Sequence, residues 1–195
     1  MKARVSIVLA ICAGLVLASA AAAAIIDGTG GDDRLRGTMD ADVIRAFAGN
    51  DLVNARGGND LVRAGTGDDR VQGDNGSDMA FGGAGNDRLA TGHADDVAWG
   101  GSGGDRVQGG PGDDSIWVGP GSDVAWGGDG DDVLHALAAD GNPDALHCGP
   151  GRDTARVRGS ERATTRIAGC ETIVVVVTPT ADDEAAESDR DPDAE

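Results

Sequence analysis

Aspartate recurs at every ninth residue over a long stretch of this chain: Asp33, Asp42, Asp51, Asp60, Asp69, Asp78, Asp87, Asp96, Asp105, Asp114, Asp123 and Asp132, and again at Asp144 and Asp153 after a short break. Short carboxylates at fixed spacing, set among glycine-rich turns crowded with backbone carbonyls, offer ligands to a hard divalent cation that prefers oxygen. Calcium suits such a site best because it tolerates irregular geometry, whereas magnesium demands a near-ideal octahedron. The first twelve of these aspartates are the metal-ligand candidates.

The elements that must position them follow from the same period. Written in rows of nine from Gly28, the chain gives twelve unbroken rows ending at His135, then a three-residue insertion, Ala136 to Ala138, then the rows Ala139 to His147 and Cys148 to Arg156. Aspartate holds the sixth position of every row, and the eighth is always Leu, Ile, Val or Ala. The fourth is glycine in eleven rows, with Asp40, Ala94 and Asn142 as the exceptions. Each row reads as a tight turn followed by a three-residue strand, and Ala94 should be a strained turn because glycine is needed where φ is positive. Such strands cannot stand alone, so successive rows must stack, each burying its single apolar side chain. Two rows make a coil of 18 residues. The odd rows (Leu35, Val53, Val71, Leu89, Val107, Ala125) then face the even rows (Ile44, Val62, Ala80, Ala98, Ile116, Leu134) across one thin seam. The fold class is all-β, a solenoid of two parallel sheets.

Charge agrees with the cation. The chain carries a formal net charge of −18, and taking Lys2 and Arg4 from its 16 basic residues leaves 14 Arg against 34 acids, a net of −20, for the chain beyond its leading segment. Nucleic acid is an improbable partner for such a chain. Stacking sets each sixth-position carboxylate one strand spacing from the next, where unscreened charges repel and a cation between coils cancels the repulsion. Six turns on each edge leave at most five gaps per edge, hence at most about ten ions. With only two Phe, three Trp and no Tyr, the seam is too meagre to hold the fold alone, so folding and ion binding should be inseparable. Affinity in the range of extracellular modules, ~10⁻⁴ to 10⁻³ M, would let export itself trigger folding.

The rows closely resemble the repeats-in-toxin (RTX) nonapeptide, G-G-x-G-x-D-x-U-x. Gly82 to Ala90, Gly100 to Gln108, Gly109 to Trp117 and Gly127 to His135 match it at all the defining positions, and the resemblance covers residues 28–156, about two thirds of the chain. It implies a right-handed parallel β-roll, disordered without calcium and folded with it, each ion held between successive turns on one edge. The match is weakest in the first rows, where Thr29, Thr38, Phe47 and Arg56 replace the second glycine.

Residues 1–24 read as a secretory signal: Lys2 and Arg4, an apolar run from Val5 to Ala18, then small residues at Ala18-Ser19-Ala20 or Ala22-Ala23-Ala24. The expected location is the cell exterior. The alternatives are a retained membrane anchor and, from Cys12, a lipoprotein, although Ile11 stands where a lipobox wants a small residue. Without an anchor no membrane span remains. Cys148 and Cys170 are an even pair in an exported chain, more readily a disulfide than a metal site, with two free thiols as the alternative. Residues 157–177 should cap the roll, with Ile173 to Val177 as a final buried strand, and residues 178–195 should be a disordered acidic tail.

The two faces differ. Even rows present Phe81, Trp99, Trp117 and His135 in one column, an exposed aromatic ladder that either contacts a glycan, a second copy or a protein partner, or serves only to stiffen the sheet or to carry the chain's own C-terminal segment. Odd rows show a mostly polar, Arg-rich face. No enzyme motif stands out: His93, His135 and His147 sit in separate rows as surface residues, and Gly100-Gly101-Ser102-Gly103-Gly104 spells a nucleophile elbow but lies in a repeat turn without a plausible triad. Two functions remain: a calcium-binding structural or adhesive module of the cell exterior, or a stand-alone relative of RTX toxins and enzymes that assists a separate effector.

Overall fold

The computed structural model describes residues 15–17 and 23–177. Those residues contain strands and no helix. In chain order the strands are β1 (Leu15–Leu17), β2 (Ile25–Asp27), β3 (Arg34–Arg36), β4 (Val43–Arg45), β5 (Leu52–Gly57), β6 (Leu61–Thr66), β7 (Arg70–Asn75), β8 (Met79–Ala84), β9 (Arg88–His93), β10 (Val97–Ser102), β11 (Arg106–Pro111), β12 (Ser115–Trp117), β13 (Val124–Asp129), β14 (Val133–Ala136), β15 (Ala145–His147), β16 (Thr154–Arg158), β17 (Arg166–Ala168) and β18 (Thr172–Val176). Odd strands form one nine-stranded sheet and even strands the other, each in sequence order and parallel throughout. The chain is an all-β parallel β-roll.

The register is the one that the period dictates. Val53 lies opposite Leu35 and Val71, and Ala98 opposite Ala80 and Ile116, one coil away in each direction. After the insertion the offset lengthens by the inserted residues, so that Leu146 follows Ala125 and Ala155 follows Leu134. Ala136 itself stays in the ladder opposite Val157. Leu137 is buried beside it, and its carbonyl accepts a hydrogen bond from Arg158 Nε at 2.7 Å.

Two expectations about the rows change. Most central strands run for six residues rather than three, because the ladder continues past the eighth position through the first residues of the next row. The seam is also wider than a single column. First-position Ala46, Ala55, Ala64, Val118 and Cys148 are buried with the eighth-position residues, so each such row contributes two inward side chains. Burying a Val or Leu at the eighth position contributes on the order of 1.5–3 kcal/mol, which a first-position alanine supplements only slightly.

The ends differ from expectation as well. The coil does not stop at Arg156: β17 pairs with β15 and β18 with β16, so residues 166–176 add two further strands to the sheets. Ile173 and Val175 follow the inward columns of Ala155 and Val157 but are 41% and 45% exposed, so among the described residues β18 is an open edge and not a buried final strand. At the other end, Val16 of β1 lies opposite Leu35. The remainder of the expected signal before Ala23, and the acidic segment 178–195, lie outside the described residues.

Cys148 and Cys170 form a disulfide with Cα atoms 5.1 Å apart, tying β15's end to the last coil. Closing a loop of that size contributes roughly 3 kcal/mol in the chain-entropy picture.

Candidate metal centre

Each sixth-position aspartate sits in a turn between two coils, and all the candidates from Asp33 to Asp132 are buried. The backbone geometry that places them there is demanding. At the second position Gly101 has φ 105°, and a Cβ on it would meet the Gly83 carbonyl oxygen at 1.9 Å. Phe47, Arg56 and Asp74 hold the same position at φ 75°, 84° and 75°, and Ala94 takes the fourth position at φ 84°, the strain expected there.

The two oxygens of each carboxylate have different surroundings. Oδ1 accepts the backbone N–H of the aspartate one coil earlier: Asp33 N–H donates to Asp51 at 2.7 Å, Asp51 to Asp69 at 2.7 Å, Asp69 to Asp87 at 2.8 Å and Asp87 to Asp105 at 2.8 Å. The even edge repeats this from Asp42 through Asp60, Asp78, Asp96, Asp114 and Asp132. These columns are therefore hydrogen-bonded ladders. The expectation that stacked carboxylates merely repel one another until an ion separates them is corrected, because half of each carboxylate already has a donor.

Oδ2 has none. In Asp51, Asp60, Asp69, Asp78, Asp87, Asp96, Asp114, Asp123, Asp132 and Asp153 this oxygen is buried without a hydrogen-bond partner. A buried carboxylate oxygen with no partner costs free energy unless a proton or a cation meets it. Burial accordingly raises these groups, with neighbouring carboxylates adding to the shift: Asp51, Asp78 and Asp114 to about 7, and Asp87 and Asp123 to about 8.

Carbonyl oxygens converge on the same places. A point 2.2 Å from Asp78 Oδ2, where a Cβ on Gly73 would lie, is also 2.2 Å from the Thr91 carbonyl of the next coil. At Gly82 the corresponding distances are 2.6 Å to Asp87 Oδ2 and 2.3 Å to the Gly100 carbonyl. Such oxygen pairs lie no more than about 5 Å apart, a span that one ion with metal–oxygen distances of 2.3–2.6 Å can bridge. The donor set is all oxygen, which selects a hard cation, and the residues present fit calcium.

The first two rows differ. Thr29 donates its N–H at 2.6 Å and its hydroxyl at 3.0 Å to Asp33 Oδ2, and Thr38 donates its N–H to Asp42 Oδ2 at 2.6 Å and its hydroxyl to Oδ1 at 3.1 Å. Asp33 and Asp42 have thus lost the unpartnered oxygen of the later rows. Conversely, Asp153 has the full pattern although it lies beyond the unbroken run, and Glu171 takes the sixth position of the last coil, its Oε2 accepting the Asp153 N–H at 2.7 Å. Asp153 was legible as a fourteenth sixth-position aspartate; Glu171 had no signal, since its row lacks the glycines.

A second ladder, not foreseen, runs along the fifth position in the opposite sense. Asn50 N–H donates to Asp32, Asp68 N–H to Asn50 and Asn86 N–H to Asp68, each at 2.8 Å. It leaves these side chains exposed, so it tethers the turns from outside while the sixth-position carboxylates tether them from within.

The aromatic column is a stack. Ring centroids are 4.4 Å apart for Phe81 and Trp99, 5.1 Å for Trp99 and Trp117, and 4.4 Å for Trp117 and His135, with planes within 12°. Arg63 lies over Phe81 at 5.9 Å. The rings cover one another's faces and are only partly exposed, and His135 is buried, so neither an exposed ladder nor a surface His135 is found. Ser102 ends β10, and no helix follows it.

Among curated proteins none matches the chain significantly. A family model described as the RTX calcium-binding nonapeptide repeat matches it in four copies, at residues 27–62, 55–89, 63–98 and 99–134. Those matches span more than half of the sequence and coincide with the turns that hold the unpartnered aspartate oxygens, so the chain belongs to the RTX calcium-binding nonapeptide repeat family.

Proposed function

We propose that this is a secreted structural or adhesive module whose folding is switched by calcium outside the cell. The observation that carries the reading is the column of buried, unpartnered Oδ2 atoms on each edge. Asp51 through Asp132, with Asp153, would hold the ions together with first-position carbonyls, and bound calcium would supply the positive charge that these oxygens lack. The chain's own part is to present oxygen at a fixed repeat, to exclude water by packing the first and eighth positions, and to hold each turn in register through Oδ1. At calcium concentrations far below ~10⁻⁴ M, as in a cytosol, the sites stay empty and the carboxylates disfavour the compact state; in an extracellular medium they fill.

Secretion is supported by the apolar leader and by the disulfide, which persists in oxidising surroundings. The test is circular dichroism of residues 27–195 titrated with calcium. Cooperative gain of strand signal in the 10⁻⁴ to 10⁻³ M range is expected. Full strand signal in chelator at neutral pH would overturn the coupling.

A further inference from the structure

One asparagine stands apart from the others. Asn50, Asn59 and Asn86 accept backbone N–H groups in the fifth-position ladder, Asn54 donates to Asp74, and Asn142 donates to Asp140. The Asn75 side chain is exposed and, among the described residues, has no hydrogen-bond partner. Asn75 is also the one asparagine followed by glycine. We infer that Asn75 is a site of spontaneous deamidation, which the calcium-loaded coil holds shut and the metal-free chain leaves open. The inference rests on calcium-coupled folding and adds a time limit to it.

The chemistry needs only water. The Gly76 backbone nitrogen, giving its proton to solvent base, attacks Cγ of Asn75. The new C–N bond closes a five-membered succinimide, and the side-chain nitrogen leaves as ammonia. Water then opens the ring at either carbonyl. Opening at the main-chain carbonyl routes the backbone through the side chain and gives isoaspartate, while opening at the other gives aspartate. Glycine favours closure because it has no Cβ to hinder the attack.

Folding opposes each requirement. Asn75 ends β7 and is held in the ladder between Gly57 and His93. The Gly76 N–H donates to the His93 carbonyl at 3.1 Å, so the attacking nitrogen keeps its proton. Ring closure also swings that nitrogen towards the Asn75 side chain, which the extended backbone of a strand excludes. An unfolded chain loses both restraints.

The two products differ in what they do to the coil. Aspartate fits, since Asp129 holds the same third position at the end of β13. Isoaspartate adds a methylene to the main chain immediately before Gly76, which sits at φ 119° and where even a Cβ would meet the Gly58 carbonyl oxygen at 1.9 Å. The turn has no slack to absorb it, and Asp78, a ligand candidate in the same turn, loses its register. A chain kept metal-free therefore loses with age its response to calcium.

The test ages the full chain at neutral pH in saturating calcium, in chelator and in guanidinium chloride. Peptide mass spectrometry reads conversion of amide to acid, with fragmentation separating Asn75 from Asn86, and circular dichroism reports which samples are folded. Conversion at Asn75 should be slower in calcium than in chelator or denaturant by roughly tenfold or more, because a stable coil is open in few molecules. The isoaspartyl form purified from the aged chain should need several-fold more calcium to fold, while fresh Asn75→Asp should keep the parent's midpoint. Equal rates in calcium and denaturant, conversion at Asn86 as fast as at Asn75, or an isoaspartyl form with the parent's midpoint would overturn the proposal. If chelator leaves the strand signal intact, the calcium coupling is what fails, and the ratio of rates in calcium and denaturant alone decides the site.

Discussion

The backbone N–H of Asp51 donates to Oδ1 of Asp69 at 2.7 Å, while Oδ2 of the same Asp69 is buried with no partner. One carboxylate thus performs two separable tasks, the first joining coils and the second awaiting a cation. Substitution can divide them. Asp69→Asn keeps an oxygen acceptor and replaces the ligand oxygen by an amide nitrogen, so the fold should survive at high calcium with its calcium midpoint raised several-fold. Asp69→Ala also strands the buried Asp51 N–H, which costs a further ~1–3 kcal/mol. Calcium titrations followed by strand signal would contradict this division if the two variants behaved alike.

Acid should replace calcium in part. Burial lifts Asp60, Asp69 and Asp132 to about 6, Asp51, Asp78 and Asp114 to about 7, and Asp87 and Asp123 to about 8. These values exceed the ordinary aspartate value of ~3.9 expected of the unfolded chain, so the metal-free roll binds more protons than the unfolded chain between those limits. The stability contributed by protonation is complete below that unfolded value and is lost as pH rises through 6 to 8. In chelator, strand signal should grow as pH falls from ~8 to ~5, and with calcium present the midpoint should rise over the same span because protons compete. A metal-free signal that is flat, or that grows with pH, would contradict the assignment.

The first two rows should take no ion. Thr29 and Thr38 already satisfy Asp33 and Asp42 Oδ2. Equilibrium dialysis should find the same number of bound calcium ions in Asp42→Asn as in the parent chain, and fewer in Asp87→Asn. Loss of an ion from Asp42→Asn would show that threonine yields its place to the metal.

Ala94 sits at φ 84° where the equivalent residues of neighbouring rows, such as Gly76 and Gly112, are glycines at φ 119° and 144°. An L residue there costs roughly 1–2 kcal/mol, and glycine recovers part of that after its larger unfolded-state entropy is counted. Ala94→Gly should therefore raise the melting temperature in saturating calcium by a few degrees; a lower melting temperature would mean that the Ala94 methyl makes packing contacts that outweigh the strain.

Much of this was legible because a period of nine leaves little freedom. The eighth-position alternation set the sheets and their register, and the invariant sixth position set the carboxylate columns. What escaped had physical causes. Burial of first-position Ala46 or Val118 was hidden because glycine fills that position in half of the rows and leaves no apolar pattern. The Oδ1 ladder needs the coil-to-coil distance, which composition does not give. The stacking of Trp99 on Trp117 follows from their register, but that they hide one another's faces depends on rotamers. A final strand was expected at Ile173 to Val177, but β17 and the continuation of the coil through it were missed, because Thr165 and Glu171 take the sixth position without flanking glycines.

The open edge at β18 sets the last prediction. It pairs only with β16 among the described residues, and its sequence, Thr172 to Val176, is apolar, rich in β-branched residues and uncharged. Among the described residues nothing is stacked above its Ile173 and Val175, which makes the edge a template for another strand. A charge pointing along the inward column blocks such stacking, and at a residue already 45% exposed it costs the fold little. Val175→Lys should therefore reduce concentration-dependent association in calcium, measured by sedimentation velocity, and leave the calcium midpoint unchanged. Val174→Lys, on the outward side opposite Arg156, should protect less, because it leaves the apolar end of the seam uncovered. If the two lysines protect equally, added charge alone is responsible and the open seam is not the route of association.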